Sequence, residues 1–424
     1  MLHDQTEDGD TIQPTIEDPP VLIQARISML VRSLELEEFR CFRHLHLVLP
    51  DRGLRLVGAN GSGKTSLIEA LYMLATTKSF RASLERHLVH RSSGSELGIP
   101  PYARLAAELF TETERSTLEI VLMVDPASGT VRKLYRRDGR SLRAVEFVGT
   151  LRVVLFSPED LELVTGSPQQ RRRYLDTILS TIDRAYLRAL ARYTRILEHR
   201  NSLLKSLAER DQRAADEQLA YWDEQLVTYG AYLLVARLRF LAEWGPRLRD
   251  HFQALDARAQ VLTTAYLPSI DLPESLLSEL AAREVADAQL IVGARYRETL
   301  ERLRPDELRR GSTLVGPHRD DVEFLLGEEP LTAFGSRGVQ RLAVIAAKLA
   351  EIAVIQRVTD DWPVLLLDDA LSELDQQHRA HLLATLSALP AQLILTATES
   401  DVLETPVLSS LPLFRLKDGR LEPG

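Results

Sequence analysis

Gly58-Ala59-Asn60-Gly61-Ser62-Gly63-Lys64-Thr65 decides how this 424-residue chain is read. The stretch fills every fixed position of G-x-x-x-x-G-K-[S/T]. Leu54, Leu56 and Val57 lead into it as an apolar strand, and Ser66 to Ala75 continues as a helix. A strand that passes through a glycine loop into a helix is the setting in which this spacing has a mechanism. The glycines let backbone N–H groups surround phosphate oxygens, and the helix N-terminus adds the positive end of its dipole. Gly58, Ala59, Asn60, Gly61, Ser62, Gly63, Lys64, Thr65 and Ser66 are therefore the expected phosphate cradle. Lys64 would reach the β- and γ-phosphates of ATP, and the Thr65 hydroxyl would bind Mg²⁺.

Val364-Leu365-Leu366-Leu367-Asp368-Asp369 supplies a second element. Four apolar residues ending in two carboxylates fit a buried parallel strand with acids at its C-terminal tip, the Walker B arrangement. Taken alone, the same run also fits a strand entering an acidic turn. Beside the glycine loop, Asp368 becomes the expected Mg²⁺ partner and Asp369 the group that polarises an attacking water. Ser336 and Gly338 precede a helical pattern near residues 338–357. Ser336 is either a plain helix cap or an anion reader for a γ-phosphate. Ser372-Glu373-Leu374-Asp375 resembles the S-x-L-D loop at the dimer seam of ABC-type ATPases. Thr398 follows a strand where such ATPases keep a γ-phosphate sensor.

Composition narrows the class. Hydrophobic residues make up 45% and charged residues 27%, ample for packed cores. No apolar run is long enough to span a bilayer, so no membrane partner is expected. Cys41 is the single cysteine, which excludes an internal disulfide and a Cys-based zinc site. Together with the lack of a secretory pattern, this implies a cytoplasmic protein. The net charge of −9 argues against passive coating of nucleic acid, so any DNA contact must come from a local basic patch.

Four segments follow along the chain. Residues 1–28 hold six acids against Arg26 and read as a disordered extension, with Met29 a possible start. Residues 29–165 carry the glycine loop and runs at 103–124 and 131–156 that read as antiparallel strands. Residues 166–309 are helical. Ser167-Pro168 opens this block, Asp183 caps a second helix, and a last helix lies near Glu274–Leu303. Residues 310–424 return to α/β with helices near 338–357 and 376–388 and strands at Val364–Leu367 and Leu393–Leu395. Because the second element comes so far after the first, the helical block must leave the head and return to it. Arg184, Arg188, Arg192, Arg195 and His199 recur at spacings of three and four, opposite the apolar stripe. Residues 168–205 hold nine Lys/Arg and three acids, which suits either a phosphate-contacting surface or a solvated helix face.

Further stretches carry a resemblance. Lys78-Ser79-Phe80-Arg81, Ser157-Pro158-Glu159-Asp160-Leu161, Gly166-Ser167-Pro168 with Arg171-Arg172-Arg173, Arg200-Asn201 and Gly316-Pro317-His318-Arg319-Asp320-Asp321 join the two elements above. From about Leu34 onward the chain resembles the RecF family of bacterial recombination mediators. The resemblance implies an α/β P-loop NTPase head of ABC/SMC type with an inserted α-helical lobe. It also implies a head-to-tail, ATP-dependent homodimer with ATP between the glycine loop of one copy and Ser336 of the other. DNA would be bound at gaps and single-strand/double-strand junctions, with RecR, RecO and RecA as partners in gap repair, fork recovery and the SOS response. Val339 stands where the family shows a glutamine, and Asp369 where ABC enzymes place a glutamate, which implies slow hydrolysis. Competing readings are a transporter-associated ABC subunit, an SMC-like structural protein and an ATP-gated nuclease. The helical insertion, the lack of long heptads and the early end of the chain argue against them in turn.

Overall fold

The computed structural model describes residues 29–424, apart from 95–97, 112–113, 208–211, 258–259, 400–402, 404, 418 and 424. The expectation for residues 1–28 lies outside the described residues.

The first part of the chain holds β1 (Met29–Phe39), β2 (Phe42–Val48), β3 (Gly53–Val57), α1 (Lys64–Thr76), β4 (Tyr102–Thr111), β5 (Arg115–Val124), β6 (Val131–Arg137), β7 (Arg140–Leu142), α2 (Ala144–Phe147), β8 (Val153–Phe156) and α3 (Glu162–Thr165). The helical stretch is α4 (Pro168–Ile182), α5 (Arg184–Leu207), α6 (Gln212–Leu255), β9 (Leu262–Leu267), α7 (Glu274–Ala282) and α8 (Val285–Arg310). It is followed by β10 (Asp321–Leu326), β11 (Glu329–Pro330), α9 (Leu331–Phe334), α10 (Arg337–Thr359), β12 (Val364–Asp368), α11 (Gln376–Ala388), β13 (Leu393–Ala397), β14 (Leu413–Lys417) and β15 (Arg420–Pro423).

Two six-stranded sheets form the head. One is antiparallel, in the order β2-β1-β4-β5-β6-β7; the other runs β15-β14-β3-β13-β12-β8, parallel except for the β14–β15 hairpin. The central strands β8, β12 and β13 are buried along their whole length and almost wholly apolar because both faces are covered. On β12, Val364 and Leu366 point into the core shared with α1 and the antiparallel sheet. Leu365 and Leu367 point into the core shared with α10 and the helical stretch. β8 divides the same way. It pairs parallel to β12 rather than joining the antiparallel strands before it, which corrects the expectation for residues 131–156. Its apolar run of four has no alternation to tell the two settings apart.

The helical stretch begins as its capping residues predict. The Ser167 amide donates to Gln170 Oε1 (2.6 Å), and Ala185 N donates to Asp183 Oδ1 (2.7 Å). The expected last helix is instead two, because Arg283 and Glu284 are extended. No glycine or proline marks that break. The apolar core continues from α10 through α6 and α8, with Trp244 Nε1 donating to Ala347 O (3.1 Å). β9 pairs with β10 across the boundary drawn at 309/310. No helix among the described residues is long and apolar enough to cross a membrane.

Candidate functional site

The glycine loop joins β3 to α1 at the C-terminal edge of the parallel sheet, and β12 ends beside it. Gly63, the residue before α1, has φ +112, and a Cβ there would lie 2.7 Å from Cys41 Sγ and 2.8 Å from the Phe42 ring. Only glycine serves at this position. The Leu67 amide makes a helical bond to Gly63 O (3.1 Å), so the amides of Lys64, Thr65 and Ser66 lie in the first turn with no carbonyl four residues back inside the helix. Ser62 Oγ is buried without a hydrogen-bond partner. Free amides around an unpaired hydroxyl are a donor set suited to phosphate oxygens.

Lys64 lies over the loop, donating through Nζ to Gly58 O (2.6 Å) and Ala59 O (3.1 Å). Burial lowers its pKa, and Asp369 and Asp368 counteract part of that fall. Asp368, 4% exposed, accepts from Thr65 Oγ1 (3.0 Å) and Thr396 Oγ1 (2.9 Å) on the same Oδ1. Burial raises the Asp368 pKa; the two hydroxyls oppose the rise, and Glu159 and Arg81 act with opposite signs. The oxygens of Thr65 and Asp368 are the hard ligands that Mg²⁺ selects. Asp369 adopts φ +51, and its amide is held by Thr396 Oγ1 (3.1 Å) and Thr396 O (3.2 Å). That places its carboxylate near Lys64, with a pKa raised by burial.

These groups share one open cleft of about 1240 Å³, lined by Asn60, Lys64, Thr65, Asp368, Asp369 and Thr398. Its opposite wall is basic, with Arg40, Arg81, Arg86, His87, His90 and Arg91. The sequence reading assigned no role to this wall. A buried acid on α1 helps to hold it. Glu69 takes a bidentate pair from Arg40 (2.7 Å each) and accepts from the Ser79 hydroxyl. A carboxylate inside an otherwise apolar helix was the available signal.

Ser336 and Gly338 are not among the residues lining this cleft. Ser336 caps α10, accepting from Val339 N (3.3 Å), and it and Gly338 are exposed on the surface. Phe334 beside them is 66% exposed. Arg184, Arg188, Arg192 and Arg195 are exposed on α5, while Tyr186, Ala189, Tyr193 and Ile196 are buried on its other face.

The Gly316–Asp321 stretch closes on itself. Gly316 has φ +120, and a Cβ there would meet Tyr296 Oη at 1.9 Å. His318 Nδ1 bonds Tyr193 Oη (2.7 Å), and burial lowers its pKa to about 4. Asp320 accepts from Tyr266 Oη (2.6 Å), Ser269 N (2.7 Å) and Ser269 Oγ (2.7 Å), and Asp321 takes a bidentate pair from Arg171 (2.7 and 2.8 Å). Arg237, 1% exposed, donates to Pro317 O (2.7 Å), Asp176 (2.8 Å) and Tyr186 Oη (3.1 Å). These motif residues fasten α4, α5 and α6 to the head. A second buried group, Lys348 with Asp160 (3.2 Å) and Glu351 (3.5 Å), joins the 157–161 turn to α10.

The family model for the RecF/RecN/SMC N terminal domain matches residues 30–411. A DNA replication and repair protein RecF from Thermomicrobium roseum is 99% identical over 396 residues, covering 93% of this chain and 100% of the relative. One from Herpetosiphon aurantiacus is 43% identical, with the same coverage. A solved structure of the recombination mediator protein RecF-ATP in the RecFOR pathway has a TM-score of 0.80 at 27% identity. It covers 95% of this chain and 99% of its own.

Proposed function

The chain belongs to the RecF family of DNA replication and repair proteins, and from that we propose that it is an ATP-gated DNA clamp made of two copies. One observation carries the reading. Lys64, Thr65, Asp368, Asp369 and Thr398 converge on one cleft, whereas Ser336 faces outward from the same protomer. An N-terminal serine on an exposed helix end is an anion reader with no anion of its own to read. A second copy placed head to tail brings it over the cleft.

Gly58 to Ser66 would cradle the phosphates of ATP, and Thr65 with Asp368 would hold Mg²⁺. When bound, that ion supplies charge neutralisation across the phosphate oxygens. Asp369 orients the attacking water in a weak, DNA-stimulated hydrolysis that resets the switch. The helical stretch 166–309 is the lobe that meets DNA. Closure of the dimer brings two copies of the Arg184, Arg188, Arg192 and Arg195 face together, so two modest surfaces act at once. Gapped duplex and single-strand/double-strand junctions are the targets, with RecR, RecO and RecA as partners, in the cytoplasm.

Two variants test this. Lys64→Met is expected to lose ATP binding and, with it, ATP-dependent binding to gapped duplex. Ser336→Arg is expected to retain ATP binding but lose dimerisation and hydrolysis, read by light scattering and phosphate release. A Ser336→Arg protein that dimerises and hydrolyses normally refutes the composite site.

A further inference from the structure

The outer edge of the helical stretch pairs a ring with an arginine at one station and with a histidine ring at another. At the first, Arg192 Nη1 donates to Tyr229 Oη (2.5 Å), and the guanidinium lies 5.6 Å from the ring centroid. At the second, the His199 and Trp222 rings stack with centroids 5.2 Å apart and planes 26° from parallel. Tyr221 meets Trp222 edge-on at 5.3 Å and is itself 64% exposed. Because 192 faces 229 while 199 faces 222, α5 and α6 run antiparallel. The stations are separated by two turns of each helix, about 10 Å at the α-helical rise.

Arginines outnumber the exposed acids Glu198 and Glu217 around the stations. Arg188, Arg192, Arg195 and His199 are exposed. Two acids beside Trp222 are engaged elsewhere: Asp223 pairs with Arg200 and Arg304, and Glu224 with Arg297. Glu198 is the exposed acid on this stretch of α5. Planar rings among guanidinium groups suit unstacked bases carried on a phosphate chain, since every base offers a π-face. A duplex hides those faces in its own stack.

We propose that the outer edge of the α5–α6 pair is a base-stacking platform for single-stranded DNA. Tyr221, Trp222 with His199, and Tyr229 with Arg192 are the stacking stations, and Arg188 and Arg195 contact phosphates. The proposal rests on the DNA-clamp reading and deepens it, because it lets one lobe tell the exposed strand of a gap from the flanking duplex.

The protein carries its own probe. Of three tryptophans, Trp244 is buried in the core and Trp222 stands on the platform. An oligothymidylate of about 20 nucleotides, titrated at fixed salt, is expected to quench tryptophan fluorescence, and Trp222→Phe to remove most of that quench. Tyr221→Ala with His199→Ala is expected to weaken oligonucleotide binding by about ten-fold, well beyond any loss for blunt duplex, while Tyr221→Phe retains it. A quench that persists in Trp222→Phe overturns the platform. So does an oligonucleotide affinity left intact by the double variant, which would assign the patch to a protein partner. Equal losses for strand and duplex overturn the selectivity. Failure of the wild-type chain to take up gapped duplex on addition of ATP refutes the clamp instead, and a quench in that same preparation would still support the platform.

Discussion

The nucleotide cleft and the Gly316–Asp321 turn are both rich in charge and both built around a glycine at positive φ, yet their polar atoms are spent differently. In the cleft, Lys64, Asp369 and the first turn of α1 face an open volume. In the turn, His318, Asp320, Asp321 and Arg237 are bonded to neighbouring elements of the same chain. A polar motif whose groups are consumed inward holds the fold together; one whose groups remain available holds a ligand. The contrast predicts that damage to the turn lowers stability while the cleft keeps its chemistry, and the reverse for damage to the cleft.

The sharpest way to break this contrast is Arg237→Met. The substitution keeps volume but leaves Asp176 without its guanidinium and the Pro317 carbonyl without a donor. Removing one partner of a buried pair costs about 3–5 kcal/mol. Asp176 is 23% exposed, so the lower end, about 3 kcal/mol, is expected in chemical denaturation. Removing Asp176 as well, in Arg237→Met with Asp176→Leu, should recover part of the loss. A normal denaturation midpoint for the single variant would show that the turn is not a fastening.

A smaller effect comes from acid. His318 is held at about 4 mainly by burial; the Thr313 carbonyl opposes the fall, and Arg319, Arg172 and Arg200 add to it. An unfolded histidine titrates near 6.5. The unfolded chain therefore binds a proton that the folded chain refuses, and stability falls as pH drops from about 6.5 to about 4. The loss attributable to this group is at most about 3 kcal/mol. His318→Asn should flatten that part of the stability profile. A profile identical to that of the wild type would remove His318 from the account.

How much could be read in advance follows the same division. Gly58–Thr65 and Val364–Asp369 were legible because each motif is contiguous and its chemistry depends on local backbone geometry. The caps at Ser167 and Asp183 were legible for the same reason. Arg40, Glu69 and Ser79 were not, because their meeting requires the β1–β2 turn, α1 and the loop after α1 to pack together. Val153–Phe156 was assigned to the wrong sheet because a strand buried on both faces shows no period. His318 gave no functional reading because its partner Tyr193 lies on α5, which only the fold brings near.

The finest test lies where the two regimes meet. Thr396 stands two residues before Thr398, and its hydroxyl donates to Asp368 Oδ1 (2.9 Å) and accepts from the Asp369 amide (3.1 Å). It is buried like the groups of the turn, but it serves the cleft by fixing both carboxylates. Thr396→Val keeps the shape and removes both bonds. The net loss of about 1 kcal/mol expected for such a contact should weaken Mg²⁺-dependent nucleotide affinity by up to about ten-fold, with little change in thermal stability. The Thr396 hydroxyl also holds the raised Asp368 pKa in check, so its loss should move the acid limb of nucleotide binding to higher pH. If Thr396→Val lowers stability and leaves that limb in place, Thr396 belongs with the fastenings, and the line between the two kinds of polar motif runs inside the cleft itself.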